Sequence, residues 1–331
     1  MKKVLAIAVA LLLCAGVSLA EFPERDITNV VVWSAGGGTD TCNRIVSAEM
    51  AKILGVNVNV INKTGGVSGS IGMSYTFQQP SDGYTLSGLS ESCVTAGVQE
   101  GWDQKMDVWD FMIVGGSPDV LSVTPDAPYE NLKDLIEAAK AEAESIKACA
   151  SAAGSIHHLN LLALENGSGA KFSFIPYTGS APCQDAAMKG EVAVVVTSLA
   201  EQQQLIKGEK LRPLGMLIPD SFTVDGVGEI PSSFDDYPGL AEYLPISQAI
   251  GIGVKADTPD EVKEVLYDAF KKALETDAVK KWAEETYYLL SGATGDEAKE
   301  IFDKLESNFA WTLWDLGAAK VNPEELGIPR P

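Results

Sequence analysis

The residues with the clearest chemical potential form a triple-glycine turn, Gly36-Gly37-Gly38, which Thr39 and Asp40 follow. A glycine turn that runs into a helix leaves backbone N–H groups free and directs the positive end of the helix dipole at one point. Such a point suits a carboxylate or a phosphate. Glycines between a strand and a helix can equally serve tight packing, so the turn alone leaves both interpretations open.

Two nucleotide-binding motifs do not match this turn. A P-loop requires a lysine after its last glycine, where this chain has Thr39. The dinucleotide fingerprint GxGxxG requires a final glycine, where this chain has Thr41. An anion held by backbone amides therefore remains the prediction for the turn.

The sequence lacks the residue patterns of common hydrolases and metal sites. The motifs GxSxG, HExxH and CxxC do not occur. Its two histidines, His157 and His158, are adjacent, and neighbours on a helix point about 100° apart, which disfavours a shared metal. The sequence therefore predicts a protein that is not an enzyme and that holds no metal and no cofactor.

Strand and helix patterns alternate around the glycine turn. Apolar residues 30–33 predict a buried strand before it, and apolar positions in 45–54 have helical spacing. Residues 56–61 and 84–89 predict further strands. This alternation indicates an α/β lobe with a mostly parallel sheet.

Three polar turns are expected to meet at one edge of that sheet. They span residues 34–39, 64–70 and 90–92, each directly after a predicted strand. Ligands of open α/β sheets bind beyond the carboxyl ends of the strands. The convergence of three such turns favours a ligand site over tight packing alone.

Composition and charge exclude several classes of partner. The chain has 331 residues and a formal net charge of −21, so nucleic acid and anionic membrane surfaces are unfavourable partners. Its length indicates two domains. Residues 1–20, with Lys2 and Lys3 before a short apolar core and Ser18-Leu19-Ala20 at the end, predict a signal peptide. We therefore expect an exported, periplasmic protein.

Four cysteines remain after the predicted signal peptide, namely Cys42, Cys93, Cys149 and Cys183. An exported compartment permits disulfides, and four cysteines allow three connectivities. Pairing Cys42 with Cys93 and Cys149 with Cys183 would keep each bridge within one lobe. Free buried cysteines are the alternative.

Several ordered motifs carry a family resemblance. VVVWSAGGGTD at 30–40, NKTGGVSGSIG at 62–72 and SDGYTL at 81–86 are followed by IPYTGSAP at 175–182 and KGEV at 189–192. Together they resemble the substrate-binding proteins of tripartite tricarboxylate transporters, the Bug family of periplasmic receptors. With the C-terminal pattern, the matches span nearly the whole chain after the signal peptide.

The resemblance implies a two-lobed, periplasmic-binding-protein-like α/β fold, each lobe a mostly parallel sheet flanked by helices. We expect lobe 1 to comprise residues 21–122 and 248–331, and lobe 2 residues 123–247. The implied function is capture of a small organic carboxylate by a monomer and its delivery to the large and small membrane subunits of a transporter. The alternatives are a ligand sensor for a periplasmic signalling kinase and a periplasmic hydrolase.

The turns and the resemblance together predict the ligand-binding residues. In lobe 1 they are Trp33, Ser34, Ala35, Gly37, Gly38, Thr39, Asp40, Gly66, Ser68, Ser90 and Glu91. In lobe 2 they are Ser155, His158, Tyr177, Thr178, Gly179, Ser180, Ala181, Thr197 and Ser198. By resemblance, main-chain groups of residues 37–40 hold a carboxylate and His158 takes the place of the family's histidine.

The roles of three of these side chains depend on where each side chain points. Asp40, beside an anion site, is expected to cap the helix and brace the turn. Glu91 would repel a dicarboxylate if it pointed into the cleft and would favour a hydroxylated, amino or otherwise non-anionic group; the simpler expectation is that it faces solvent. Trp33 either packs in the core or forms the floor under an aromatic ligand.

Overall fold

The structure is a computed structural model that describes residues 22–242, 244 and 248–331. The predicted signal peptide, residues 1–20, lies outside these residues. The strands are β1 Ile27–Val31, β2 Val58–Asn62, β3 Thr85–Leu89, β4 Trp109–Gly116, β5 Asp119–Val123, β6 Lys147–Cys149, β7 Ser173–Phe174, β8 Val194–Ser198, β9 Arg212–Met216, β10 Phe222–Val224, β11 Gly228–Ile230, β12 Ile250–Lys255 and β13 Leu289–Leu290. The helices are α1 Gly38–Leu54, α2 Ser70–Phe77, α3 Leu132–Ala141, α4 Ile156–Ser168, α5 Ser180–Met188, α6 Leu199–Lys207, α7 Asp260–Leu274, α8 Asp277–Thr286 and α9 Gly295–Asp315. Short 3₁₀ turns lie at Val67–Gly69, Glu91–Thr95, Met106–Val108, Pro238–Glu242 and Pro323–Leu326.

The strands form two main sheets, one for each lobe. The first has the order β13-β4-β12-β3-β1-β2 and the second the order β7-β6-β8-β5-β9. Strand β5 begins at Asp119 in the second sheet, whereas β4 ends at Gly116 in the first. We therefore propose that the boundary between the lobes falls between these two strands, and that lobe 1 resumes before β12.

Both sheets are mixed: most strands of each sheet run in one direction, as expected, while β12 and β13 in the first sheet and β5 in the second run against it. Strand β1 runs parallel to β2 and β3, but β12 runs antiparallel to β3 and β4. In the second sheet β6 is parallel to β7 and β8, while β5 is antiparallel to β8 and β9. The antiparallel strands lie next to the crossings between the lobes, where the chain leaves and re-enters a sheet without the helical crossover that keeps strands parallel.

Strand β4 explains how the first sheet is buried on both faces. Side chains alternate along a strand, so Phe111 and Ile113 join one apolar cluster with α9, and Met112 and Val114 join another with α1 and α7. The second sheet likewise separates two clusters. Helices on both faces of each sheet hold the strand ends, and the turns that follow them, in fixed positions.

The cysteine pairing was half correctly predicted. Cys149 at the end of β6 is bridged to Cys183 in α5, whereas Cys42 and Cys93 are free and buried. Cys42 packs in the cluster with α1, and Cys93 packs in the cluster on the opposite face of the first sheet. The sheet itself separates the two thiols, so the predicted Cys42–Cys93 bridge is wrong.

Within the residues described, no helix combines the length and the apolar character that a bilayer crossing requires. The same residues contain no group of three His, Cys, Asp or Glu side chains placed to hold a metal ion.

Candidate functional site between the lobes

The glycine turn brings the N-terminus of α1 to the boundary between the lobes. Gly36 has a φ of +83°, a left-handed conformation that glycine adopts without steric cost. Gly37 N then donates to Ser34 O at 3.3 Å, which closes the turn, and α1 begins at Gly38. The first N–H groups of α1 therefore face lobe 2.

Asp40 braces the turn, as the sequence predicts. Its carboxylate accepts hydrogen bonds from Gly36 N at 2.9 Å, Arg44 Nε at 3.0 Å and Asn62 Nδ2 at 2.8 Å. Burial alone would raise the pKa of Asp40, but the hydrogen bonds from Arg44, Gly36 and Asn62 hold it below its usual value. No side-chain bond caps α1, whose N-cap is Gly37, so the expectation that Asp40 caps the helix is wrong. The negative charge of Asp40 is thus balanced by hydrogen-bond donors of the turn and its immediate neighbours, Gly36, Arg44 and Asn62.

The second lobe closes directly on the turn. A Cβ on Gly179, just before α5, would collide with Ser34 Oγ, and a Cβ on Gly36 would lie 3.7 Å from Ala181 Cβ. Two hydrogen bonds cross between the lobes nearby, from Ile156 N to Ser92 Oγ at 2.9 Å and from Thr95 Oγ1 to Gly154 O at 2.7 Å. The structure is therefore a closed form.

A carboxylate of the protein itself occupies the N-terminus of α1. Glu201, in the first turn of α6, accepts a hydrogen bond from Gly38 N through Oε1 at 2.7 Å. Its other oxygen, Oε2, accepts from Ser198 N at 3.0 Å. A Cβ on Gly38 would lie 2.8 Å from Glu201 Oε1 and 3.0 Å from the hydroxyl of Tyr288. The turn thus binds a carboxylate, which in this closed form comes from lobe 2.

His157 stands behind Glu201 as the positive charge of the cleft. Its Nδ1 lies 2.8 Å from Asp119 Oδ2, and its Nε2 lies 3.4 Å from Glu201 Oε2. Asn160 Nδ2 also donates to Asp119, at 2.6 Å. Burial alone would lower the pKa of His157, but Asp119 and Glu201 raise it to about 9. The imidazole is therefore charged at neutral pH, with Nδ1 hydrogen-bonded to Asp119 and Nε2 in an ion pair with Glu201.

Glu91 is buried in the cleft, so the expectation that it faces solvent is wrong. Its side chain is 1% exposed. Oε2 accepts from Ala249 N at 2.7 Å, and Oε1 accepts from Ser92 Oγ at 2.8 Å. Burial raises the pKa of Glu91, against the opposing effect of these hydrogen bonds. The side chain thus ties the end of β3 to the segment that returns from lobe 2.

A small cavity remains between these groups. Its volume is about 20 Å³, room for about one water molecule. Trp33 forms part of its wall while it packs in the core, and its Nε1 donates to Ser90 Oγ at 3.0 Å. The predicted residues that line the cavity are Trp33, Gly37, Gly38, Thr39, Ser90, Glu91, Ser155, Gly179 and Ser180.

The other predicted residues lie outside the cavity wall. His158 stacks on Phe174 with ring centroids 4.0 Å apart, and burial lowers its pKa to about 4. Ser68 Oγ is bonded to Thr95 Oγ1, and Tyr177 OH donates to Glu191. The remaining residues of this group are Ser34, Ala35, Asp40, Gly66, Thr178, Ala181, Thr197 and Ser198. As ligand contacts they stay predictions for an open or ligand-bound form.

Sequence reasoning missed several residues that line the cavity. They are Ser92, Ser151, His157, Glu201, Gln248 and Ile250. A signal for Glu201 was present, because Ser198-Leu199-Ala200-Glu201 has the S-x-x-E spacing of a helix start directly after strand β8. The sequence prediction assigned the ligand contact to His158 instead of His157, because the start of α4, which decides which of two adjacent histidines faces the cleft, is not fixed by sequence alone.

Comparison with protein families gives one match over most of the chain. Residues 42–306 match the family described as "Tripartite tricarboxylate transporter family receptor". A Cupriavidus necator protein, named "UPF0065 protein in gbd 5'region", is 29% identical over 311 residues, which are 91% of this chain and 90% of that protein. Protein BugT of Bordetella pertussis is 31% identical over 216 residues, 64% of this chain and 66% of BugT.

Solved structures are similar over nearly the full length. Rpa4515 of R. palustris with adipate has a TM-score of 0.81 at 24% identity, covering 90% of this chain and 99% of that one. MatC of Rhodopseudomonas palustris with bound malate has a TM-score of 0.80 at 20% identity, covering 88% and 100%. At these identities the two structures establish the fold alone, and they confirm the predicted two-lobed, periplasmic-binding-protein-like architecture.

Proposed function

We propose a function from the premise that this chain belongs to the tripartite tricarboxylate transporter receptor family: it captures a small organic carboxylate between its two lobes and delivers it to a tripartite membrane transporter. The family is one of solute-binding receptors, so the prediction that the chain is not an enzyme is confirmed. The predicted signal peptide supports export to the periplasm, and we propose that the receptor acts there as a monomer.

One observation carries the proposal. The N-terminus of α1 already binds a carboxylate, that of Glu201, through Gly38 N at 2.7 Å. A helix N-terminus that is enclosed between two lobes offers oriented N–H donors and a favourable dipole, and exclusion of water strengthens both. A ligand's carboxylate can take this place once the lobes separate. Similar structures that hold adipate and malate support the same ligand class.

Binding is expected to proceed by opening and closing of the lobes. The closed form has a cavity of about 20 Å³, too small for any carboxylic acid, so the ligand must enter an open form. Closure then brings Gly179, Ser180 and the start of α4 against the turn. Closure around a ligand is the usual action of two-lobed receptors and produces a shape that a membrane partner can recognise.

A thermal-shift screen tests the proposed function. Protein without residues 1–20 would be heated with a panel of mono-, di- and tricarboxylates and with neutral sugars as controls. A ligand at one hundred times its dissociation constant stabilises the folded state by about 2.7 kcal/mol, which gives a clear rise in melting temperature. A rise confined to carboxylates supports the proposal. The proposal is contradicted if only the sugars raise the melting temperature, or if no compound raises it.

A further inference from the structure

The cleft contains more carboxyl groups than basic groups. Glu91 and Glu201 line the cavity, and Asp119 lies directly behind His157. Among the cavity-lining residues that the structure describes, His157 is the basic one, and none is lysine or arginine. A site built for a dianion would be expected to offer more cations than carboxylates. This cleft has the opposite balance.

A hydroxyl group beside the N-terminus of α1, that of Tyr288, has no hydrogen-bond partner among the residues described. Glu201 Oε1 takes the Gly38 N–H, and the Tyr288 hydroxyl points to the same place, 3.0 Å from the position of a Cβ on Gly38. Tyr288 is 6% exposed. Buried hydroxyl groups without partners are costly, so this donor points to a missing acceptor at the helix start.

The hydrogen bond from Ser198 N keeps the Glu201 carboxylate close to the position that a ligand's carboxylate would take at the start of α1. Oε2 stays bonded to Ser198 N within the same helix start, while Oε1 reaches across to lobe 1. When the lobes open, Oε1 loses Gly38 N, but the backbone anchor in lobe 2 persists. On closure around a ligand's carboxylate, Glu201 would meet that carboxylate at close range. Two buried carboxylates in contact repel unless a cation lies between them.

Resting on the proposed function, we propose that the ligand is a zwitterionic amino carboxylate. Its carboxylate replaces Glu201 on Gly38 N and accepts from the Tyr288 hydroxyl. Its ammonium group lies against Glu201 Oε1, which has exchanged one donor for another. Glu91, 1% exposed in the same cleft, is a second carboxyl group whose oxygens can accept hydrogen bonds from the ammonium group. The ammonium group and the carboxylate beside it together add no net charge to an acidic site.

Ligands matched in carbon skeleton provide the test. Wild-type protein is titrated by calorimetry with alanine and propionate, aspartate and succinate, and glutamate and glutarate, and with the carboxamide of each bound amino acid. We expect at least one amino acid to bind about tenfold or more tightly than its plain acid, because a lost charge-assisted hydrogen bond costs that much. The carboxamide should also lose affinity, because it lacks the carboxylate.

The outcomes separate the two proposals. If plain acids bind as tightly as, or more tightly than, their amino acids, the inference is overturned and the carboxylate-receptor function stands. If the carboxamide binds as well as the amino acid, the helix N-terminus is not the carboxylate site and the inference also fails. If none of the acids or amino acids binds, the inference is contradicted, while the thermal-shift panel decides the carboxylate-receptor function.

Variants assign the ammonium contact to Glu201. Glu201→Gln should weaken binding of the amino acid about tenfold or more and change binding of the plain acid little or in the opposite direction. Glu229→Gln, an exposed glutamate in the same lobe, is the matched control and should change neither. Equal loss for both ligands, or no loss, contradicts the assignment. Should Glu201→Gln fail to fold, the wild-type ligand pairs decide alone.

Discussion

Gly38 is the residue at which a single added methyl group would be most informative. A Cβ added to Gly38 would lie 2.8 Å from Glu201 Oε1 and 3.0 Å from the Tyr288 hydroxyl, which is closer than ordinary side-chain contacts allow. Any carboxylate that replaces Glu201 would meet the same obstruction. The missing side chain is therefore part of the binding site.

We predict that Gly38→Ala weakens binding of the carboxylate identified by the thermal-shift screen by about tenfold or more, since overpacking typically costs 1–3 kcal/mol. Calorimetric titration measures the dissociation constant. Gly239→Ala is the control, because its nearest neighbour would be an ordinary 3.4 Å contact. An unchanged dissociation constant in Gly38→Ala would remove the glycine turn from the site.

His157 makes stability depend on pH. Its pKa rises from 6.5 to about 9 in the folded protein, through Asp119 and Glu201 and against burial. The stabilisation is therefore fully present below pH 6.5 and is lost as the pH rises through 9. Glu306, whose buried carboxyl has a pKa raised to about 7, affects stability mainly below that pH.

We predict that the free energy of unfolding of the wild type falls between pH 7 and 9 by up to about 1.4 kcal/mol per pH unit. His157→Gln should show a much smaller slope in this range, and urea denaturation at several pH values measures both. His158→Gln is the matched control, because the pKa of His158 is lowered to about 4. Parallel slopes in the wild type and His157→Gln would contradict the charged state of His157.

Among the structural elements, the turn before α1 depends on Asp40. Its carboxylate joins Gly36, at the tip of the turn, to Arg44 in α1 and Asn62 at the end of β2. These bonds fix the direction in which the first N–H groups of α1 point. A neutral amide at this position would lose the ion pair and could not accept all of the same donors.

We predict that Asp40→Asn lowers the free energy of unfolding by about 1–3 kcal/mol, the usual loss for hydrogen bonds to a charged group. Asp303→Asn, which breaks an exposed ion pair with Lys299, should cost less than about 1 kcal/mol. Urea denaturation compares the two. Equal, small losses would mean that the turn keeps its shape without the Asp40 charge.

Contacts between residues that are close in the sequence could be predicted from it, whereas contacts between distant residues could not. The turn was predictable because Gly36 and Asp40 are four residues apart and their types suit a helix start. Glu201 and Gly38 are 163 residues apart, and their contact exists only after the lobes have docked. Glu91 could not be oriented either, since its partner Ala249 belongs to the distant return segment.

The sheets illustrate the same limit at a larger scale. The alternation of strands and helices predicted the α/β class, and the family resemblance implied the two lobes. It did not predict the antiparallel strands β5 and β12, because their direction is set by where the chain crosses between the sheets. The free Cys42 and Cys93 were also unpredictable locally, since a sheet that forms from distant strands separates them.

At the scale of the whole molecule, we propose that two carboxylates exchange at one position between the lobes. In the closed form without a ligand, Glu201 of lobe 2 supplies the carboxylate that binds the N-terminus of α1. In the ligand-bound closed form, the ligand supplies it. The overall charge of −21 makes such a local, enclosed site necessary for any anionic group.

The most direct test is a distance in a crystal structure of the protein with the carboxylate that gives the largest thermal shift. We predict a carboxylate oxygen of the ligand within about 3.2 Å of Gly38 N, a hydrogen-bond distance, with Glu201 Oε1 displaced from that nitrogen. A ligand bound elsewhere, with Glu201 still on Gly38 N at 2.7 Å as in the present structure, would contradict the account.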